Sequence, residues 1–189
     1  MNRKLINNHP QALVAFFLSF IFFSIFLLIQ YFASTFLRRE EGFDIVYFPA
    51  GITFISILVC GIWGVLGIFF VLVPMYIYKF PEVSSLLIIS MVSFSLLLQL
   101  TVIRIYLFFA GVDQNLQKLK HIQLLGLAVV FSLSHSTSHH LNLALIGRYP
   151  LGWGESMIAL STFLGVSFTL LLLWIFSKLY DRTSRSHLY

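Results

Sequence analysis

Residues 45–78 read IVYFPAGITFISILVCGIWGVLGIFFVLVPMYIY, a run of 34 residues without one charge. A helix crosses the bilayer core in about 20 residues. This run is therefore too long for one crossing and barely long enough for two. Gly61-Ile62-Trp63-Gly64 sits near its middle, where glycine permits the backbone angles of a tight turn. The run predicts two short or tilted helices, over about 46–61 and 64–79. The competing readings are one long tilted helix, or a re-entrant pair that does not fully span. Pro49 suits a first helical turn. Gly51, Gly61 and Gly64 allow close helix contacts.

Four more apolar runs flank this one: Ala12 to Ala33, Ser84 to Ala110, His121 to about Ile146, and about Ser156 to Tyr180. The sum is an all-α, polytopic membrane helix bundle of about six transmembrane helices, one integral membrane domain over residues 1–189. Composition agrees. Of the 189 residues, 59% are hydrophobic and 10% charged, against about 45–50% and about 25% in soluble domains. Such a chain cannot cover a water-facing surface with charge. A soluble enzyme and a nucleic-acid-binding body are excluded, so the net charge of +5 reports topology and contact with lipid headgroups. Cys60 is the single cysteine, so no internal disulfide forms.

Cytoplasmic loops carry the excess of Lys and Arg. With both termini cytoplasmic, the inner side holds Arg3, Lys4, Lys118, Lys120, Lys178, Arg182 and Arg185. The outer side holds Arg38, Arg39, Lys79 and Arg148. Seven against four favours that orientation. Arg3 and Lys4 give the first run the look of a signal peptide, but its apolar core exceeds about 7–15 residues. A retained first helix is expected, in a multi-pass protein of a bacterial inner (plasma) membrane.

Ser134-His135-Ser136-Thr137-Ser138-His139-His140 is the stretch that carries chemistry. His135 and His139 are four apart and share a helix face; His140 points about 100° away. That spacing suits two imidazoles on one metal ion or beside a haem. It equally suits a non-metal ligand or proton site, interhelical packing, or hydration at headgroup level. The His-Glu-x-x-His pattern that would strengthen a metal assignment does not occur. Glu155, opening the sixth helix after Gly152-Trp153-Gly154, either serves the helix dipole or approaches the His cluster from the same side of the membrane. Arg104, within the fourth helix, either snorkels to the headgroups, binds an anionic ligand or pairs with Asp113. Trp63, Trp153 and Trp174 read as interface anchors. No nucleophile or acid–base pair stands out, so no enzyme is expected.

The order of these features resembles the membrane-associated sensor domain of the MASE type, first class. These are integral membrane input domains found ahead of histidine kinases and diguanylate cyclases. Phe48-Pro49-Ala50-Gly51-Ile52 is similar to that family's Pro-Ala-Gly-Ile opening of its second helix. Gly61-Ile62-Trp63-Gly64 resembles its next element, and Leu116-Gln117-Lys118-Leu119-Lys120 its basic loop. Gly152-Trp153-Gly154-Glu155 with Leu164-Gly165-Val166 resembles its final segment. The likeness runs from about 45 to 180. It implies signal transduction by a sensor. Family members usually continue into an output domain, whereas Asp181 to Tyr189 are all that follow the last expected helix here. The expectation is a non-catalytic sensory or regulatory module acting through a membrane or cytoplasmic protein partner. The motifs define no ligand, so no binding residues carry over. Two other readings fit the architecture: the substrate-binding membrane component of a vitamin-type importer, and a structural or haem-binding subunit of a membrane complex.

Overall fold

The computed structural model describes residues 9–37, 46–112, 116, 119–147 and 154–186. They form six helices: α1 (His9–Leu37), α2 (Phe48–Cys60), α3 (Ile62–Lys79), α4 (Ser85–Phe109), α5 (His121–Leu145) and α6 (Gly154–Ser186). There is no strand among the described residues. Four helices are long and apolar enough to cross a membrane: α1 over Pro10–Ser34, α3, α4, and α6 over Ser156–Ile175. α5 has the length but carries the His/Ser/Thr stretch, which lowers its hydropathy. α2 has the hydropathy but not the length. Its 13 residues rise about 20 Å at 1.5 Å each, well short of a core of about 30 Å.

The expected four-residue turn at 61–64 is one residue long. Gly61 takes φ 57° and ψ −129°, a conformation that side chains resist. Its N–H donates to the Ile57 carbonyl at 3.0 Å, and its own carbonyl already accepts from Val65 at 3.1 Å. Ile62, Trp63 and Gly64 are therefore the first turn of α3. Gly64 serves packing instead: a methyl there would strike the Ser56 carbonyl oxygen across the hairpin.

At its other end, α2 starts inside the bundle. The Phe48 N–H donates to Gln30 Oε1 of α1 at 2.9 Å, and the Tyr47 N–H to the Ser161 carbonyl of α6 at 3.1 Å. Gln30 lies seven residues before the end of α1, and Ser161 seven after the start of α6. Both place the first residue of α2 about 10 Å below the helix ends around it. Pro49 in the first turn removes one of the N–H groups a buried helix start would otherwise strand.

Helix direction alternates. Gly67 of α3 meets Phe16 and Ser19 of α1, Gly51 of α2 meets Gly165 and Thr169 of α6, and α4 pairs antiparallel with α5. One end of the bundle carries Gly61 and the other Pro81. The starts of α1 and the finish of α6 both belong to the Gly61 end. α2 lies at the centre, packed on α1, α3 and α6 and touching α4. Phe54, Ile57, Ile68, Leu96, Ile103, Leu127, Phe131 and Val166 form the buried core around it. Phe54 and Phe131 meet edge to face at 5.2 Å. The outer surface is also apolar, with Phe17, Leu28, Phe70, Phe94, Leu133 and Leu171 exposed. A surface that apolar is stable against lipid rather than water.

Candidate functional site

The α5 helix sets Phe131, His135 and His139 on successive turns of one face. Their rings form a ladder, with centroids 5.9 Å apart for Phe131–His135 and 6.2 Å for His135–His139. Tyr47, the residue that caps α2, lays its ring against His135 at 5.8 Å. From α4, Gln99 brings Nε2 to 2.9 Å from His135 Nδ1. An amide nitrogen only donates. With Gln99 Nε2 as the donor, Nδ1 takes the acceptor role open to a neutral ring protonated on Nε2. Gln99 is 1% exposed, and its Oε1 has no hydrogen-bond partner.

The same α4–α5 seam continues toward the Pro81 end. Asn142 donates from Nδ2 to Ser95 Oγ at 2.7 Å and to the Met91 carbonyl at 3.4 Å. Its Oδ1 is buried without a partner. His139 lies between these two amides along α5. His140 points elsewhere. It is 3% exposed, and its Nε2 is also unpartnered.

This arrangement limits the metal reading. Among the described residues no three His, Cys, Asp or Glu side chains come together as a metal set. His135 and His139 supply two donors, and Nδ1 of His135 already engages Gln99. A haem does not fit between them. Bis-imidazole ligation needs two ring nitrogens aimed at the iron from opposite sides of the haem plane, whereas these rings stack at 27° and 6.2 Å on adjacent turns of one helix.

The other sequence candidates separate. Arg104 is exposed near the Gly61 end, where a methyl on Gly61 would lie 2.8 Å from Nη2. Its charge sits beside the C-terminus of α2, a place the helix dipole favours, and away from the His cluster. Trp153 and the side chain of Glu155 lie outside the described residues, as does Asp113. Trp63 and Trp174 are 43% and 57% exposed, as lipid-interface anchors are. Gly51 and Gly165 form one contact. A methyl on Gly165 would strike the Tyr47 carbonyl, and one on Gly51 would strike Thr169. Both glycines are what let α2 start against α6.

Gln30, Gln99 and Asn142 are the buried amides that the patterning of His and Gly does not reveal. Gln30 and Gln99 are each a lone amide in an apolar run, and an amide inside a membrane needs a partner. That signal was present in the sequence, in Leu-Ile-Gln-Tyr around position 30 and Leu-Gln-Leu around position 99.

No family model, no curated protein and no solved structure matches this chain. The resemblance to the membrane sensor family therefore rests on the short motifs alone.

Proposed function

We propose that the chain is a non-catalytic sensory or regulatory module of a bacterial plasma membrane, working through a partner protein. The observation that carries this reading is the half-buried Gln99–His135 pair with the unpartnered acceptor on buried Gln99. It lies where α2, α4 and α5 meet, so an occupant there acts on three helices at once. A ligand shifts a conformational equilibrium only by binding the two states differently. A site shared by three helices is one where packing and binding are coupled in that way.

The orientation proposed is six alternating helices with both termini cytoplasmic. Arg104 and Lys120 at the Gly61 end agree with an inner side there. The His cluster then opens outward and the basic ends face the partner.

The test uses native membranes. The assembly is isolated intact, its partner identified by native mass spectrometry, and the partner's output measured. His135→Ala and Gln99→Leu are expected to change that output while the assembly persists. An unchanged output with both variants assembled would remove the site.

The importer reading has one observation in its favour. α2 begins inside the bundle, as discontinuous helices of transporters do. However, its first N–H groups are satisfied by Gln30 and Ser161, so the helix start offers nothing to a substrate. Tight co-purification with an ATPase module and stimulated uptake of a small molecule would favour this alternative.

A further inference from the structure

Orphaned polar atoms show what kind of molecule a buried seam wants. Gln99 Oε1 and Asn142 Oδ1 are both acceptors, and neither can donate. Buried polar groups in native proteins find partners, in protein or in ordered solvent. The missing groups are therefore donors. The charge of the occupant follows from its neighbours. An anion would meet unpartnered amide oxygens. A cation would enter past Lys79, the last residue of α3 at the Pro81 end. An uncharged O–H or N–H donor meets neither objection.

The two orphans stand apart along one line. From the His135–Gln99 level to Asn142 is seven residues of α5, about 10 Å. At the usual donor–acceptor spacing of about 2.8 Å, on the order of three small hydroxylic molecules bridge that distance. Asn142 is three residues from the end of α5 at Leu145, so the line reaches the Pro81 end of the bundle.

We propose that the α4–α5 seam takes up small uncharged hydrogen-bond donors along a path from the Pro81 end, past Asn142 and His139, to the Gln99–His135 pair. Water is the smallest such donor, and a small hydroxylated solute is the other source of the same chemistry. This deepens the sensor reading and rests on it for its purpose: it names what the site takes and from which end.

The test is alkylation by iodoacetamide, an uncharged N–H donor that reacts with thiolate. Thiolate forms where water reaches and not against hydrocarbon. The full chain with Cys60→Ser is placed in lipid nanodiscs, and single cysteines are introduced by His139→Cys, Asn142→Cys and Ser95→Cys. Leu141→Cys is the control, because Leu141 is 40% exposed on the apolar surface at the same depth. Elution as a single species confirms folding, and Ser95→Cys probes the seam from α4 should either α5 variant fail. The seam cysteines are expected to alkylate at least about tenfold faster than Leu141→Cys. Equal rates, or no reaction at Ser95→Cys and the surviving α5 variant, overturn the path.

Glycerol then separates the sources. Slowing at the seam, but not at a cysteine introduced by Pro81→Cys in the exposed turn, identifies a solute-accepting seam. Equal rates with and without glycerol identify a water chain. Fast alkylation together with an unchanged partner output would keep the path and remove the sensor role.

Discussion

His135 stands between two helix contacts that are built in opposite ways. On one side α2 meets α6. There Gly51 and Gly165 bring the backbones together, the Tyr47 N–H finds the Ser161 carbonyl, and the Phe48 N–H finds Gln30. Thr53 and Thr169 return their hydroxyls to carbonyls of their own helices. On the other side α4 meets α5. There Gln99 and Asn142 each make bonds through nitrogen and leave the oxygen alone. Thr162 Oγ1 is an unpartnered hydroxyl on α6, but a hydroxyl can rotate and an amide oxygen cannot turn away without moving its nitrogen. At the α2–α6 contact the N–H groups of Tyr47 and Phe48 and the hydroxyls of Thr53 and Thr169 all have partners. The α4–α5 contact is complete only with something added. A membrane bundle that must hold its shape and still respond to an occupant can divide the two tasks in this way.

Changes at the α2–α6 contact should cost the most. Gly165→Val places a branched side chain against the Tyr47 backbone, where no flexible group can give way. Overpacking of this kind costs about 1–3 kcal/mol and sometimes more, so most of the folded, monodisperse protein should be lost on detergent extraction. Recovery at parental levels would mean that α2 does not dock on α6 so closely. Gly61→Ala comes next, because a side chain at its backbone angles costs about 1–3 kcal/mol. The melting temperature should fall without change in the oligomer. Gln30→Leu strands the Phe48 N–H at a buried helix start, an omission worth about 1–3 kcal/mol. It should fall below the parent in the same thermal series. Arg104→Gln removes a charge from the C-terminus of α2, far from both contacts, and should cost about 0.3–1 kcal/mol. A larger loss there would mean that Arg104 has a partner beyond the helix dipole.

The two helices of residues 45–78 were legible in that run and the other four in the apolar runs around it, because hydropathy fixes where a chain can sit in a bilayer. The break at Gly61 was legible too, since one glycine there admits a backbone that others refuse. Two things were not. The depth at which α2 begins is set by Gln30 and Ser161, partners 18 residues before Phe48 and 114 after Tyr47, and no local pattern encodes such pairings. The site was half legible. The run from Ser134 to His140 announces a polar patch, and the spacing of His135 and His139 puts both on one face. What the patch lacks became visible only when Gln99 arrived from α4 with one atom satisfied and one not.

The smallest expected effect is the most informative. Gln99→Leu removes a buried oxygen that has no partner, which offsets the loss of the donor to Nδ1 of half-buried His135, so the net change is small. The decisive measurement is the thermal unfolding of Gln99→Leu beside Gln30→Leu in lipid nanodiscs. The account predicts that Gln30→Leu melts clearly below the parent, while Gln99→Leu stays within about 1 kcal/mol of it. If Gln99→Leu falls as far as Gln30→Leu, or further, the amide at 99 is structural glue and the α4–α5 seam is not a site.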